Sequence, residues 1–243
     1  NSLDTMKRVT LELGGKSPVI IDEGADVEAI GAAMAGAKQF NGGQACISPD
    51  YVFVREEEQG RLVDAFKSNV EKNLYEGGAI KKESIAQIVN KNNFNRVKAL
   101  FDDAVEKGAK VAVGGKLEED DLTIHPTMLT GVTPQMKILQ EEIFAPILPV
   151  MTYDTIDQAI GYIEERDKPL ALYVFSPDEK NVEKVLKRTS SGGVTVNGVF
   201  SHYLENRLPF GGVNGSGMGS YHGYFGFKAF SHERAVYVHQ KAA

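Results

Sequence analysis

Cysteine is almost missing from this chain. Cys46 is the one example in 243 residues, so no internal disulfide can form, and that usage fits a reducing compartment, here read as the cytoplasm. Positive charge is also short: 27 Lys and Arg stand against 33 Asp and Glu, a formal net charge of −6. The basic residues are scattered, which argues against a nucleic-acid or anionic-membrane partner. No apolar run approaches the roughly 18 residues that a membrane helix needs. No signal-peptide pattern opens the chain. The five histidines lack metal-ligand spacing, so no metal site is expected.

What remains is an ordinary globular composition, 42% hydrophobic and 25% charged, long enough for a sizeable core. Short apolar strands alternate with amphipathic helices almost throughout. Val9 to Leu13 and Val19 to Asp22 read as buried strands. Asp26 reads as an N-cap for an alanine-rich helix from Val27 to Phe40, ended by Asn41, Gly42 and Gly43. Tyr51 to Arg55, Lys110 to Val113, Thr127 to Leu129, Ile147 to Thr152, Leu172 to Phe175 and Val194 to Asn197 are further strands. Leu62, Val63, Phe66 and Val70 mark one helix face. Phe94, Val97, Leu100, Phe101, Ala104 and Val105 mark a second. Ile156, Ala159, Ile160 and Ile163 mark a third, and Val182, Val185 and Leu186 a fourth.

The acidic run Glu118 to Asp121 reads as a solvated loop. Pro209 to Phe230, rich in glycine and aromatics, reads as loop, and Val236 to His239 as a last strand. The alternation predicts an α/β fold: a largely parallel, open twisted sheet with helices on both faces. Sites in such sheets lie beyond the carboxyl ends of strands, where Glu12 and Asn197 are expected. Asn1 to Arg8 reads as a helix tail running into a strand, as in a chain cut from something longer.

Two residues carry chemistry. Cys46, in Asn41-Gly42-Gly43-Gln44-Ala45-Cys46, is either a nucleophile whose thiolate fraction depends on nearby dipoles and bases or a small buried hydrophobe. Glu12, in Leu11-Glu12-Leu13-Gly14-Gly15-Lys16, is either a base whose pKa desolvation raises or the solvent face of a half-buried strand. Gly15-Lys16-Ser17 is no phosphate loop, because the earlier glycine is replaced by Thr10. The glycines from Gly211 to Gly223 give Gly-x-Gly-x-x-Gly in no frame, so they make no dinucleotide fingerprint. His202 and His222 read as structural.

Taken together, these segments resemble the aldehyde dehydrogenase superfamily. Leu11 to Lys16 is similar to its general-base motif, and Gly43 to Cys46 to its nucleophile motif at the family's spacing. Glu141-Glu142-Ile143-Phe144-Ala145-Pro146 resembles its cofactor-ribose segment, with alanine in place of the more usual glycine before Pro146. Pro209 to Gly212 with Ser216 to Gly219 resembles its C-terminal signature. Ile47 to Tyr51 and Gly217 to Gly223 resemble the class 3 and coniferyl-aldehyde branch.

The resemblance implies an NAD- or NADP-dependent oxidation of an aldehyde, aromatic or medium-chain aliphatic, with Cys46 as nucleophile and Glu12 as the base that activates the hydrolysing water. It implies that Glu142 positions the cofactor ribose, that Phe144 packs by the nicotinamide, and that Leu13 offers its carbonyl to the carboxamide. Asn197 is expected to border the aldehyde. Family members are about twice this length, and their first half holds the cofactor-binding domain. Residues 1–11 are therefore expected to be the tail of that domain, 12–230 the catalytic domain, and 231–243 an oligomerisation segment of a homodimer or homotetramer. Two rival expectations stand beside this one: an isolated truncated domain with no activity of its own, and a non-catalytic scaffold on the same fold.

Overall fold

The computed structural model describes residues 7–240. In chain order its elements are β1 (Leu11–Glu12), β2 (Pro18–Ile21), α1 (Val27–Gln39), β3 (Tyr51–Arg55), α2 (Glu56–Leu74), β4 (Tyr75–Glu76), β5 (Ala79–Ile80), α3 (Lys91–Glu106), β6 (Lys110–Val113) and β7 (Leu117–Glu118). There follow β8 (Thr123–Ile124), β9 (Thr127–Thr130), β10 (Ile147–Tyr153), α4 (Ile156–Glu164), β11 (Ala171–Phe175), α5 (Glu179–Arg188), β12 (Gly193–Val196), α6 (Ser201–Leu204), β13 (Gly217–Met218) and α7 (Gly223–Ala229).

Seven strands form one sheet in the order β12-β11-β2-β3-β10-β9-β6, parallel except for the edge strand β6. Strand side chains alternate between two cores, as a two-residue period requires. Val19, Ile21, Val52, Val54 and Tyr173 face α1 and α2. Ile20, Tyr51, Phe53, Leu172 and Val174 face α3, α4 and α5. Helices thus cover both faces. Both sides being buried explains why β2, β3 and β11 read as unbroken apolar runs.

Several expectations are corrected. Val9 to Leu13 is not a buried strand: only two of its residues pair, and Val9, Leu11 and Leu13 are exposed. β1 lies outside the main sheet and pairs antiparallel with β13, which follows it by some two hundred positions. The Pro209 to Phe230 stretch carries β13 and α7 rather than loop alone. The acidic run opens on a short hairpin, β7 with β8, and its carboxylates pair with Lys82, Lys91 and Lys116. Val236 to His239 forms no strand, and Val236, Tyr237 and Val238 stand exposed. Residues 1–6 and 241–243, which hold most of the expected helix tail and the end of the expected oligomerisation segment, lie outside the described residues.

The position of the candidate site also differs from the expectation. Glu12, Cys46 and Glu142 lie in the segments that enter β2, β3 and β10, three adjacent parallel strands. They therefore gather at amino ends, not carboxyl ends. Loop length accounts for this. The carboxyl-end connections are short, residues 154–155 and 176–178, and β3 runs directly into α2. Residues 40–50 and 137–146 enter at the other edge, where there is backbone to spare for a site.

Candidate active site

The Cys46 loop follows α1 without a break. Asn41, Gly42 and Gly43 take three successive left-handed conformations, φ 49°, 61° and 70°. This turns the chain back sharply, and glycine accepts the conformation at least cost. Gln44 fastens the loop: its side chain donates to the carbonyls of Asn41 and Gln87, each at 3.0 Å, and accepts from the Val89 N–H at 3.0 Å. Tyr173, fully buried, donates its hydroxyl to the Ile47 carbonyl at 2.6 Å. Cys46 is therefore half-buried on a loop fixed from several sides.

Gly43 has a second reason to be glycine. A Cβ there would lie 2.4 Å from the Ala145 carbonyl oxygen. Gly43→Ala combines that clash with left-handed strain. It is expected to lower the urea-unfolding free energy by about 2 kcal/mol and to slow Cys46 alkylation. An unchanged unfolding midpoint would show that the loop is not pressed against Ala145.

Burial pushes the Cys46 thiol up, and the Glu12 and Glu142 carboxylates push it further; the backbone N–H groups of Cys46 and Ile47 oppose them. The net direction is upward. The resting group is thus a neutral thiol at neutral pH.

Two carboxylates are at hand. Glu12 stands on the exposed β1 rather than in a buried strand, held by the Glu12–Gly217 register and by the bond from Leu13 N–H to the Ser216 carbonyl at 2.9 Å. The Tyr221 phenol is a neighbour of Glu12. Its pKa is pushed up to about 12 by burial first, then by Glu12 and by Cys46. Tyr221 is fixed by its backbone bridge to Phe210, two bonds of 2.8 Å. The sequence reading missed Tyr221. Its one signal is its place inside Gly217 to Gly223, two residues after the C-terminal signature ends at Gly219.

Glu142 is held differently. Burial first, then Asp50, raise its carboxyl to about 7, while the Gly15 N–H, Lys16 and Arg96 oppose the shift. Arg96 donates to the carbonyls of Glu142 (2.9 Å) and Ile143 (2.7 Å). Asp50 accepts from the Ile143 N–H at 3.0 Å. Lys16 pairs with Asp50 and donates to the carbonyls of Ile138 (2.8 Å) and Glu141 (2.9 Å). The turn carries Phe144 in a left-handed conformation, φ 54°, with its ring partly exposed.

A cavity of about 490 Å³ opens beside Glu142, lined in part by Leu13, Gly15 and Lys16. A Cβ on Gly14 would lie 2.8 Å from Glu142 Oε2, so a side chain at that position would displace the carboxylate. The exposed Leu13 side chain and a carboxylate over bare backbone fit a flat ring joined to a sugar, whereas Phe144 and Cys46 do not line this cavity. Among the described residues no group of His, Cys, Asp or Glu is arranged to hold a metal ion.

Aromatic rings continue from the loop. Phe40 meets Phe200 at 5.7 Å between centroids, and Phe200 meets Tyr173 at 6.3 Å. Phe210 meets Tyr221 at 6.1 Å and His222 at 4.9 Å. His202 is buried, with Nδ1 2.7 Å from Thr195 Oγ1. Asn197 is not brought to this cluster. Its amide accepts from the Ser176 N–H at 2.9 Å and donates to the Ser176 carbonyl at 3.1 Å, at the carboxyl end of β11.

Comparison with known proteins gives a consistent match. The aldehyde dehydrogenase family pattern covers residues 1–236. The chain is 52% identical over 231 residues to the putative aldehyde dehydrogenase AldX of Bacillus subtilis (strain 168), covering 95% of this chain and 52% of the relative. It is 44% identical over 238 residues to a probable coniferyl aldehyde dehydrogenase of Caulobacter vibrioides, covering 96% of this chain and 49% of the relative. Its fold matches the substrate-bound Staphylococcus aureus AldH with a TM-score of 0.89 at 39% identity, over 97% of this chain and 51% of that one. The chain spans about half the length of the curated relatives it matches.

Proposed function

The chain belongs to the aldehyde dehydrogenase family, and from that membership we propose that it is the catalytic part of an NAD- or NADP-dependent enzyme that oxidises an aldehyde to a carboxylic acid. The observation that carries this reading is that Glu12, Cys46 and Glu142 lie in segments that enter three adjacent parallel strands at one edge of the sheet. Cys46 attacks the aldehyde carbon and forms a thiohemiacetal. The Cys46 N–H meets the oxyanion, a device worth roughly 3 kcal/mol per donor. The cofactor, when bound, supplies a hydride acceptor; Glu142 would hold its ribose, with Phe144 and the Leu13 carbonyl at the nicotinamide. Loss of hydride leaves a thioester on Cys46, and Glu12 activates the water that hydrolyses it. The aromatic pair Phe40 and Phe200, backed by the buried Tyr173, supports an aromatic or medium-chain aliphatic aldehyde.

A second assignment concerns the proton of the thiol. Glu142, poised at about 7, is matched to take it at neutral pH better than an ordinary carboxylate. Glu12, Glu142, Phe144 and Leu13 thus keep their roles in the reading, whereas Asn197 becomes a strand-end fastener. Residues 12–230 would form the catalytic domain and 1–11 the tail of a cofactor domain. The exposed Val236 to Val238 would pair with a second copy in a homodimer or homotetramer, as unpaired strand edges do. A cytoplasmic location goes with the single free thiol.

Two measurements on the chain decide among the readings. Rapid, selective labelling of Cys46 by a thiol reagent under native conditions supports the enzyme lineage, and inertness supports a scaffold. Calorimetric titration with NAD⁺ and NADP⁺ tests the cofactor half of the reading. Absence of binding would leave a catalytic domain without activity of its own; affinity in the range of ordinary dehydrogenases would contradict that.

A further inference from the structure

Lys38 is the residue the mechanism above does not use. It sits in the last turn of α1, eight positions before Cys46, and is completely buried. Among the described residues its hydrogen bond goes to a carbonyl, that of Ala145 at 3.3 Å, and no carboxylate lies within ion-pair distance. A buried ammonium without an anion against it is a burden on folding, and an apolar side chain of the same length would fit the space.

Its surroundings are organised. The Ala145 carbonyl that Lys38 holds is the atom that Gly43 packs against in the nucleophile loop. Charged groups face Lys38 from separate segments: Asp50 ahead of β3, Lys16 ahead of β2 and Glu142 ahead of β10. Arg96 of α3 grips the same turn through the Glu142 and Ile143 carbonyls. The nucleophile loop and the Glu142 turn therefore meet at one carbonyl, with a buried cation behind it.

We propose that Lys38 is a positioning residue for the nucleophile: its ammonium holds the Ala145 carbonyl between the Cys46 loop and the Glu142 turn and supplies positive charge that favours ionised Glu142 beside the thiol. This rests on Cys46 being the nucleophile. Burial lowers the Lys38 pKa to about 8, so the clamp is charged at neutral pH and loses its charge in the mildly alkaline range.

The test is the pH dependence of Cys46 alkylation by iodoacetamide, measured on the full chain between pH 6 and 10. The wild type, Lys38→Met and Lys38→Gln are compared, with circular dichroism to establish folding. The wild-type profile is expected to show an inflection near pH 8 besides the thiol's own ionisation. Both variants are expected to lose it and to react about tenfold more slowly at pH 7, the equivalent of one pKa unit. Lys38→Gln keeps a donor for the Ala145 carbonyl, so a Gln profile identical to wild type would show that charge is irrelevant and overturn the proposal. A single ionisation in the wild-type profile would overturn it too, with no variant needing to fold. A Cys46 inert at every pH would remove the nucleophile reading itself, whereas a reactive Cys46 with superimposable profiles removes only the role of Lys38.

Discussion

On the proposed mechanism, Glu12→Gln in the full-length protein is expected to release one burst of reduced cofactor per active site and then to turn over some 10²- to 10⁴-fold more slowly. The argument begins with what the substitution leaves intact. Glu12 lies on an exposed two-residue strand set by backbone pairing to Gly217 and by the Leu13–Ser216 bond, so the fold does not depend on its charge. Tyr221, with its pKa pushed up to about 12, stays protonated across the working range. Thiol attack and loss of hydride can proceed, because a second carboxylate, Glu142 near 7, remains to take the thiol proton. What the proposed mechanism loses is a base open to solvent, where the hydrolysing water would come from. Rapid-quench measurement of the burst and steady-state rate on one sample separates the halves. An unchanged steady-state rate would remove Glu12 from deacylation and pass that role to Glu142.

Much of this was legible because both faces of the main sheet are covered. The runs at β2, β3 and β11 are apolar without alternation, and only burial on both sides produces that. The helices were legible for the opposite reason, since each shows one apolar stripe. What periodicity cannot give is the long-range pairing of two short segments. β1 and β13 join residues near the two ends of the chain through two register pairs, too few for any local pattern. The apolar texture of Val9 to Leu13 predicts a buried strand, whereas Leu11 and Glu12 are exposed and pair with a buried Gly217 and an exposed Met218.

The edge on which the site sits was misread for a related reason. A strand's flanking sequence does not say whether the longer loop enters or leaves it, and here residues 40–50 enter. The helix α7 was hidden by Gly223 and Gly226, poor helix formers. Lys38 had a signal that went unused. It lies four positions after Met34 and eight after Ile30, both buried, and therefore on the apolar stripe of α1 and not on its wet face.

That buried lysine should give the protein an unusual pH-stability profile. An unfolded lysine holds its proton up to about 10.4, whereas folded Lys38 gives it up near 8. Between those values the unfolded chain binds more protons than the native one, so stability rises with pH across that window, by about 3 kcal/mol for a shift of this size. Below pH 8 the burden is constant. Glu142 acts in the other direction at lower pH: its raised pKa makes the native state the better proton binder between about 4.5 and 7, so stability falls as pH climbs through that range, by less because the group is only partly buried. Tyr51 and Tyr173, whose pKa values burial raises well above the phenol range, reverse the alkaline gain above about pH 10. Urea midpoints should therefore dip towards neutrality and peak near pH 10. Lys38→Met should be more stable than wild type at pH 7, by about 2–3 kcal/mol, and should lack the alkaline rise. A wild-type profile flat from pH 8 to 10 would mean that Lys38 is not buried as a cation. If instead the methionine variant gains stability while Cys46 slows, the fold is retaining a costly charge for the sake of its nucleophile, the trade that active sites impose on stability.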